Sequence, residues 1–274
     1  MQNRAWPGFL LPGLYSNPMA SIIEKPKLIA LFTDFGVTGP YLGQMQAVLA
    51  AAGVEQPVIQ LMADAPRFSP RLSAYLLAAI ANGMPPGSLI ISVVDPGVGG
   101  DRRAIMVKGS GKWFIGPDNG LLSQVAKRSG KVEIEEIVWR PEQLSNSFHG
   151  RDLFAPVAAA ICNQQYRSGP AIRFDALTGS RWPDDLAEII YIDDFGNAIT
   201  GISASGVARD KTLELSGVRI RYARTFSEVP VGEAFWYENS MGLVEVAVNQ
   251  GDASQRLGLA IGSSVAMEWC DRTL

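Results

Sequence analysis

The run Leu28-Ile29-Ala30-Leu31-Phe32-Thr33 carries no charge and is then cut off by Asp34-Phe35-Gly36. Six apolar or β-branched residues are too few for a stable helix, and a run without polar alternation is the mark of a strand covered on both faces. Working outward, Tyr41–Ala52 reads as a helix stopped by Gly53, and Pro57–Met62 as a second strand. Ser69-Pro70 supplies a cap and a first helical position for a helix through Ala81, which Asn82-Gly83 ends. Ser88–Val94 is another apolar strand, Leu121–Lys127 a short helix, and Leu153–Tyr166 a helix rich in Ala. This alternation between Lys27 and about Tyr166 predicts a Rossmann-like α/β domain with a largely parallel sheet.

After Arg173 the texture changes. Glu188–Ile192, Thr212–Leu215, Val218–Tyr222, Ala234–Tyr237, Leu243–Val248 and Ser264–Trp269 are short β-rich runs separated by Gly, Asp and Asn. They predict a smaller, β-barrel-like second domain joined through Gly179–Asp185. The expected division is an arm over residues 1–25, an α/β domain over 26–178 and a β-rich domain over 186–274.

Composition narrows the function. The chain is 47% hydrophobic, and its 24 Lys and Arg against 27 Asp and Glu leave a net charge of −3. That balance offers no polycationic face for nucleic acid or anionic lipid. The uncharged stretches Phe35–Val54 and Leu72–Val94 are long enough to suggest membrane spans, but Gly, Pro and Asn-Gly break them into short buried elements. The first 25 residues, with Arg4 and then Pro7, Gly8, Pro12 and Gly13, make a poor secretory leader. Cys162 and Cys270 form no disulfide framework or metal spacing, and a reducing cytoplasm fits them.

Polar residues gather where chemistry is expected. Asp34, Asp64 and Asp95 each follow a predicted strand, at the edge where open α/β sheets bind ligands. Asp after a strand is also an ordinary turn former, so only the three together point to a ligand-binding rim. Asp95-Pro96-Gly97-Val98-Gly99-Gly100 permits close backbone approach, yet no Gly-rich phosphate-binding fingerprint occurs. Pro117-Asp118-Asn119-Gly120 reads as a structural turn. His149 is the sole histidine, set among Ser147, Arg151 and Asp152 just before a helix, which favours a site and makes zinc improbable. Asp193-Asp194-Phe195-Gly196-Asn197 is either a hairpin turn or a place to hold an amine and a base.

Taken in order, Thr33-Asp34-Phe35-Gly36, Val94-Asp95-Pro96-Gly97-Val98-Gly99, Pro117-Asp118-Asn119-Gly120-Leu121-Leu122, Phe148-His149-Gly150-Arg151-Asp152, Ile192-Asp193-Asp194-Phe195-Gly196-Asn197, Asn239-Ser240 and Val244-Glu245-Val246-Ala247 resemble the S-adenosyl-L-methionine hydroxide adenosyltransferases, relatives of the fluorinases and chlorinases. The resemblance runs from about Lys27 to Val265. It implies cleavage of S-adenosylmethionine by water into adenosine and methionine, with no metal or cofactor, in a homotrimer whose sites lie between the N-terminal domain of one subunit and the C-terminal domain of the next. By the same resemblance Asp64, Arg71 and His149 handle the water, Asp34 holds the ribose hydroxyls, and Asp193 and Ser240 hold the methionine end. Phe195 and Asn197 take the adenine side, with Glu245 and the backbone around Val248 lining the nucleoside pocket. Gly39 and Ala63 stand where the family usually carries a second Asp and a His.

The chemistry suits those residue types. A sulfonium departs as a neutral thioether and needs no leaving-group proton, so the demand falls on the nucleophile. Arg71 would favour hydroxide, Asp64 would orient Arg71 and the water, and His149 is suited to accept or relay the proton. Three alternatives stand beside this reading. They are a halogenating relative, a magnesium-dependent phosphoesterase using Asp34, Asp64, Asp95 and Asp118, and a nucleoside-binding protein without catalysis.

Overall fold

The computed structural model describes residues 25–215, 217–265 and 268–270. The expected N-terminal arm, apart from Lys25, lies outside the described residues. The chain opens with β1 (Leu28–Thr33), α1 (Tyr41–Ala51), β2 (Val58–Met62), α2 (Pro70–Asn82) and β3 (Ser88–Val93). It continues through β4 (Ala104–Gly109), β5 (Lys112–Pro117), α3 (Ser123–Arg128) and β6 (Val132–Glu136), then α4 (Ala155–Cys162), which a π-helical turn over Gly150–Phe154 precedes. Six strands form one sheet in the order β2-β1-β3-β5-β4-β6.

This sheet is parallel only over β2, β1, β3 and β5; β4 runs antiparallel to both β5 and β6. The reason is local. Ser110 and Gly111 both take positive φ, 51° and 70°, which suits a tight two-residue hairpin between β4 and β5. These strands escape a search for apolar runs because Lys108, Lys112, Glu133 and Glu135 interrupt them.

The predicted start of α2 is observed, with Ser69 at the cap and Pro70 at the first position, although the Ser69 hydroxyl makes no capping bond. The helix is buried along most of its length, from Leu72 to Ala81, because it is covered twice. One face packs on the first sheet against Ile90 and Phe114. The other meets Leu186, Ile190, Ile199 and Leu243 of the second domain, all in one continuous core. The opposite face of the first sheet packs on α1, the π-helical turn and α4 through Met45, Leu49, Phe154 and Ala158.

The second domain contains β7 (Leu186–Ile192), β8 (Ala198–Ser203), β9 (Thr212–Leu215), β10 (Val218–Tyr222), β11 (Ala234–Glu238), β12 (Leu243–Val248), α5 (Ala253–Leu257) and β13 (Glu268–Cys270). Its seven strands are ordered β13-β9-β10-β11-β12-β8-β7 and are antiparallel except between β10 and β11. The two ends of that order are drawn together by one stretch of chain. Ser264 bridges to Glu188 on β7, and Glu268–Cys270 then pairs with β9. The expected run Ser264–Trp269 is therefore split between two partners, and the sheet curls towards a barrel around Trp236, Val246 and Leu213. Among the described residues no helix is long and apolar enough to cross a membrane.

Candidate active site

The strand order places β2, β1 and β3 side by side, so Asp64, Asp34 and Asp95 follow neighbouring strands along one rim. Their loops interlock: the Gly36 amide donates to the Ala63 carbonyl at 2.6 Å and the Ala65 amide to the Thr33 carbonyl at 3.1 Å. The Asp34 carboxylate accepts from the Phe68 amide at 3.2 Å. Burial raises its pKa, with Arg67 opposing the shift and Asp95 adding to it. Ala63 is fully packed beneath α1.

Asp95 does not stand free. Arg102 grips it through Nε at 2.8 and 2.7 Å and through Nη2, and the same Nη2 donates to His149 Nδ1 at 2.9 Å. The three side chains form a carboxylate, guanidinium and imidazole row that joins the loop after β3 to the segment before α4. Gly99 explains how the two segments come so close: a Cβ there would lie 2.4 Å from the Asn146 carbonyl, and its φ is +83°. His149 is buried at the entrance to the π-helical turn, a distortion common at functional sites. Phe148 beside it packs edge-on against Phe35 and Tyr41. Burial first, and Arg102 second, push the His149 pKa below the usual imidazole value. In the same motif Arg151 pairs with Asp152 and Gln44, while Asp152 accepts from the Ser145 amide, so those two hold the loop.

Asp64 and Arg71 face the second domain. The Tyr191 hydroxyl donates to Asp64 Oδ2 at 2.7 Å, and Arg71 Nη2 donates to Glu188 Oε1 at 2.8 Å. β7 crosses the start of α2 and offers Asp64 and Arg71 each a separate partner. Burial, then Asp64, raises the Tyr191 phenol pKa. No direct hydrogen bond links any two of Asp64, Arg71 and His149.

Asp118, offered as a magnesium ligand in one alternative, is committed to Arg103 and to the Thr178 amide, and Asn119 ties its turn to the Val94 carbonyl. With Asp95 held by Arg102, the four acidic residues do not assemble. Among the described residues no group of three His, Cys, Asp or Glu side chains could hold a metal ion.

In the second domain Asp193 closes the hairpin between β7 and β8. Its Oδ1 accepts from the amides of Phe195 and Asn197 at 3.0 and 2.8 Å, and its Oδ2 from Asn197 Nδ2 at 2.9 Å. The segment is a hairpin turn that also gathers polar groups. Phe195 projects from it, 79% exposed. On β12 Glu245 is only 3% exposed, and accepts from the Tyr237 hydroxyl and from Asn239 Nδ2. Burial raises its pKa, and these two donors oppose the shift. Register sets Tyr191, Ile199, Glu245 and Tyr237 opposite one another across β7, β8, β12 and β11, with the buried Ile199 separating Tyr191 from the Glu245–Tyr237 pair. The Val248 side chain packs into the domain core.

Ser240 lies apart. With Met241 it lines a cavity against Ala79, Ile80, Asn82 and Gly83, at the carboxyl end of α2. Arg71 is at the other end, about 16 Å away by helical rise. Ladder register likewise puts Ser203 opposite Leu243 and Ala198 opposite Val246, so the turns carrying Ser240 and Asp193 are at opposite ends of β8. One chain brings together Asp34, Asp95 and His149, and separately Asp193, Asn197 and Glu245, but not Ser240 with Arg71. Arg102, Tyr191, Tyr237 and Glu188 carry no signal of a site role in the sequence. Asn239 has one, as the neighbour of Ser240.

Residues 29–169 match the model for the SAM hydroxide adenosyltransferase N-terminal domain, and residues 187–266 that for the C-terminal domain. An (R)-S-adenosyl-L-methionine hydrolase of Thermus thermophilus is 36% identical over 87% of this chain and 98% of its own length. One of Salinispora arenicola is 34% identical over 86% and 96%. A fluorinase of Actinopolyspora mzabensis is more distant, 21% identical over 90% and 98%. The crystal structure of an uncharacterized conserved protein from Thermotoga maritima superposes with a TM-score of 0.78 at 30% identity, covering 86% of this chain and 98% of that one.

Proposed function

Because this chain belongs to the SAM hydroxide adenosyltransferase family, we propose that it hydrolyses S-adenosyl-L-methionine to adenosine and L-methionine. The carrying observation is the similarity to (R)-S-adenosyl-L-methionine hydrolases across both domains. That similarity is greater than the similarity to a fluorinase, which favours water over halide as the nucleophile.

In this reading the water oxygen bonds to the ribose C5′ as the C5′–S bond breaks. The bonding pair stays on sulfur, which leaves as the neutral thioether of methionine, and one water proton is released. The site must hold oxygen in line with the bond, at roughly 3–3.5 Å, and favour its deprotonation. Asp64, Arg71 and His149 are the water-handling set. Asp34 and Asp95 stand on the substrate rim, Asp34 for the ribose hydroxyls. Asp193 and Ser240 take the methionine end, Phe195 and Asn197 the adenine side, and Glu245 with the Val248 backbone the nucleoside pocket. A sulfonium leaving group needs no Lewis acid, so the reaction is assigned no metal and no cofactor.

We place the site between subunits of a homotrimer. The separation of Ser240 from Arg71 supports this. So do the exposed apolar side chains beside the rim, Phe68 at 78% and Val37 at 68%, and Phe195 on the opposite domain. Cys162, a buried free thiol whose pKa burial pushes up to about 11, suits a reducing cytoplasm.

The deciding experiment is chromatography of the products after incubation with S-adenosylmethionine, chelator and chloride. Adenosine with methionine is expected. 5′-Chloro-5′-deoxyadenosine would assign halogenation, loss of activity in chelator a metal hydrolase, and adenosine binding without methionine release a nucleoside-binding role.

A further inference from the structure

His149 is bonded to a cation where a catalytic histidine is commonly bonded to a carboxylate. Arg102 Nη2 lies 2.9 Å from His149 Nδ1, and a guanidinium has only donors to offer. Nδ1 therefore accepts, and in the neutral ring the proton sits on Nε2. The reversed ring would press a C–H against the guanidinium and lose the bond. Asp95 fixes the arrangement, since Arg102 grips both its oxygens and the pair is buried, with side-chain exposures of 11% and 3%. The carboxylate thus reaches the imidazole through an intervening cation. This inverts the usual effect, in which a carboxylate on Nδ1–H makes the ring a base.

We propose that Arg102, held by Asp95, is a positioning residue that locks His149 as the neutral Nε2–H tautomer, so that His149 serves the hydrolysis as a hydrogen-bond donor and not as its base. This rests on the hydrolase reading above. Among the described residues Nε2 makes no hydrogen bond, and it is not a buried unpartnered atom, so its proton is free for the attacking oxygen. Donation there stabilises developing hydroxide. The proton released as the C5′–O bond forms passes to a rim carboxylate. Asp95 is taken by Arg102 and Asp34 is assigned to the ribose, which leaves Asp64, whose second oxygen makes no bond among the described residues. The charged groups acting on the ring are Arg102 and Arg140, which oppose its protonation, and Asp95 and Asp152, which favour it; burial and Arg102 prevail.

The chain's single histidine makes the test direct. Nitrogen-15 NMR of the imidazole in the full protein is expected to show a protonated Nε2 and an unprotonated Nδ1 through the neutral range, with a titration midpoint below ~6.5. An Nδ1–H tautomer, or a midpoint at or above that value, overturns the proposal without reference to activity. In Arg102→Gln the midpoint is expected to move up towards ~6.5 and the Nδ1–H form to appear; an unchanged ring overturns the role of Arg102. Kinetically, His149→Gln keeps an acceptor for Arg102 and a donor beyond it, and should turn over at least about tenfold faster than His149→Ala. Equal loss in the two variants indicates a base and overturns the donor role. If the NMR result holds while S-adenosylmethionine is not cleaved, the hydrolase reading fails and the tautomer lock survives.

Discussion

Four carboxylates, two on each domain, are held in different ways. On the first, Asp95 is gripped by Arg102, which also holds His149, and Asp118 by Arg103. On the second, Asp193 and Glu245 are satisfied by neutral donors: Asp193 by two amides and Asn197, and Glu245 by Tyr237 and Asn239. The charged row reaches across the chain where Arg102 meets His149, 47 positions on, and the rim is sensitive to the loss of one partner. Neutral donors within a hairpin hold a carboxylate locally, and its loss is confined. The contrast fits a division of labour in which the rim manages the developing charge of the reaction and the second sheet offers fixed acceptors.

The sharpest way to break the contrast is Arg102→Met. It strands the buried Asp95 charge and should cost about 3–5 kcal/mol of stability in denaturant melts; a loss below about 1 kcal/mol would show that the pair is not a buried one in solution. Next come Asp64→Ala, Arg71→Ala and His149→Ala, each expected to lower turnover about a hundredfold or more. Near-normal turnover in any one removes that residue from the water-handling set. On the second domain Glu245→Ala leaves Tyr237 and Asn239 without their acceptor and should cost about 1–3 kcal/mol, while Glu245→Gln should cost less. Tyr191→Phe removes one bond to Asp64, worth about 0.5–1.5 kcal/mol, and should change turnover no more than roughly tenfold.

Acidity separates the two regions further. The native His149 pKa is lowered, so between that value and ~6.5 the unfolded chain binds the extra proton, and stability falls as pH falls through that window. Glu245 has a raised native pKa, so the native state binds the extra proton, and its contribution improves as pH falls towards the ordinary glutamate range. Asp34 shares the sign of Glu245. Melts of His149→Gln should therefore lose the decline below neutrality, and melts of Glu245→Gln should lose the acid-side gain. Parallel pH curves for both variants and the parent would refute the assignment.

Much of this was legible in the chain. Leu28–Thr33, Thr212–Leu215, Val218–Tyr222 and Leu243–Val248 are strands with the bounds their residues suggest, because burial on one or both faces is written as an apolar run or an alternation. β4, β5 and β6 are not legible as apolar runs because Lys108, Lys112, Glu133 and Glu135 interrupt them. The motifs on Asp34, Asp95, His149 and Asp193 were legible because they are short and local. Their relations were not. Nothing in the residues around Arg102 says that it will meet His149, 47 positions on, rather than solvent.

Periodicity, turn chemistry and ordered motifs are properties of neighbours along the chain, and they sufficed for the α/β and β-rich division, the acidic rim and the family resemblance. Which polar group faces which depends on strand order and on α2 being packed between two sheets. That packing brings Tyr191 to Asp64 and Glu188 to Arg71, and the close approach of the loop after β3 to the segment before α4 brings a guanidinium to the imidazole. Such a bond is decided by the position of each side chain to within an ångström, and that position is set by the whole core rather than by the residues on either side.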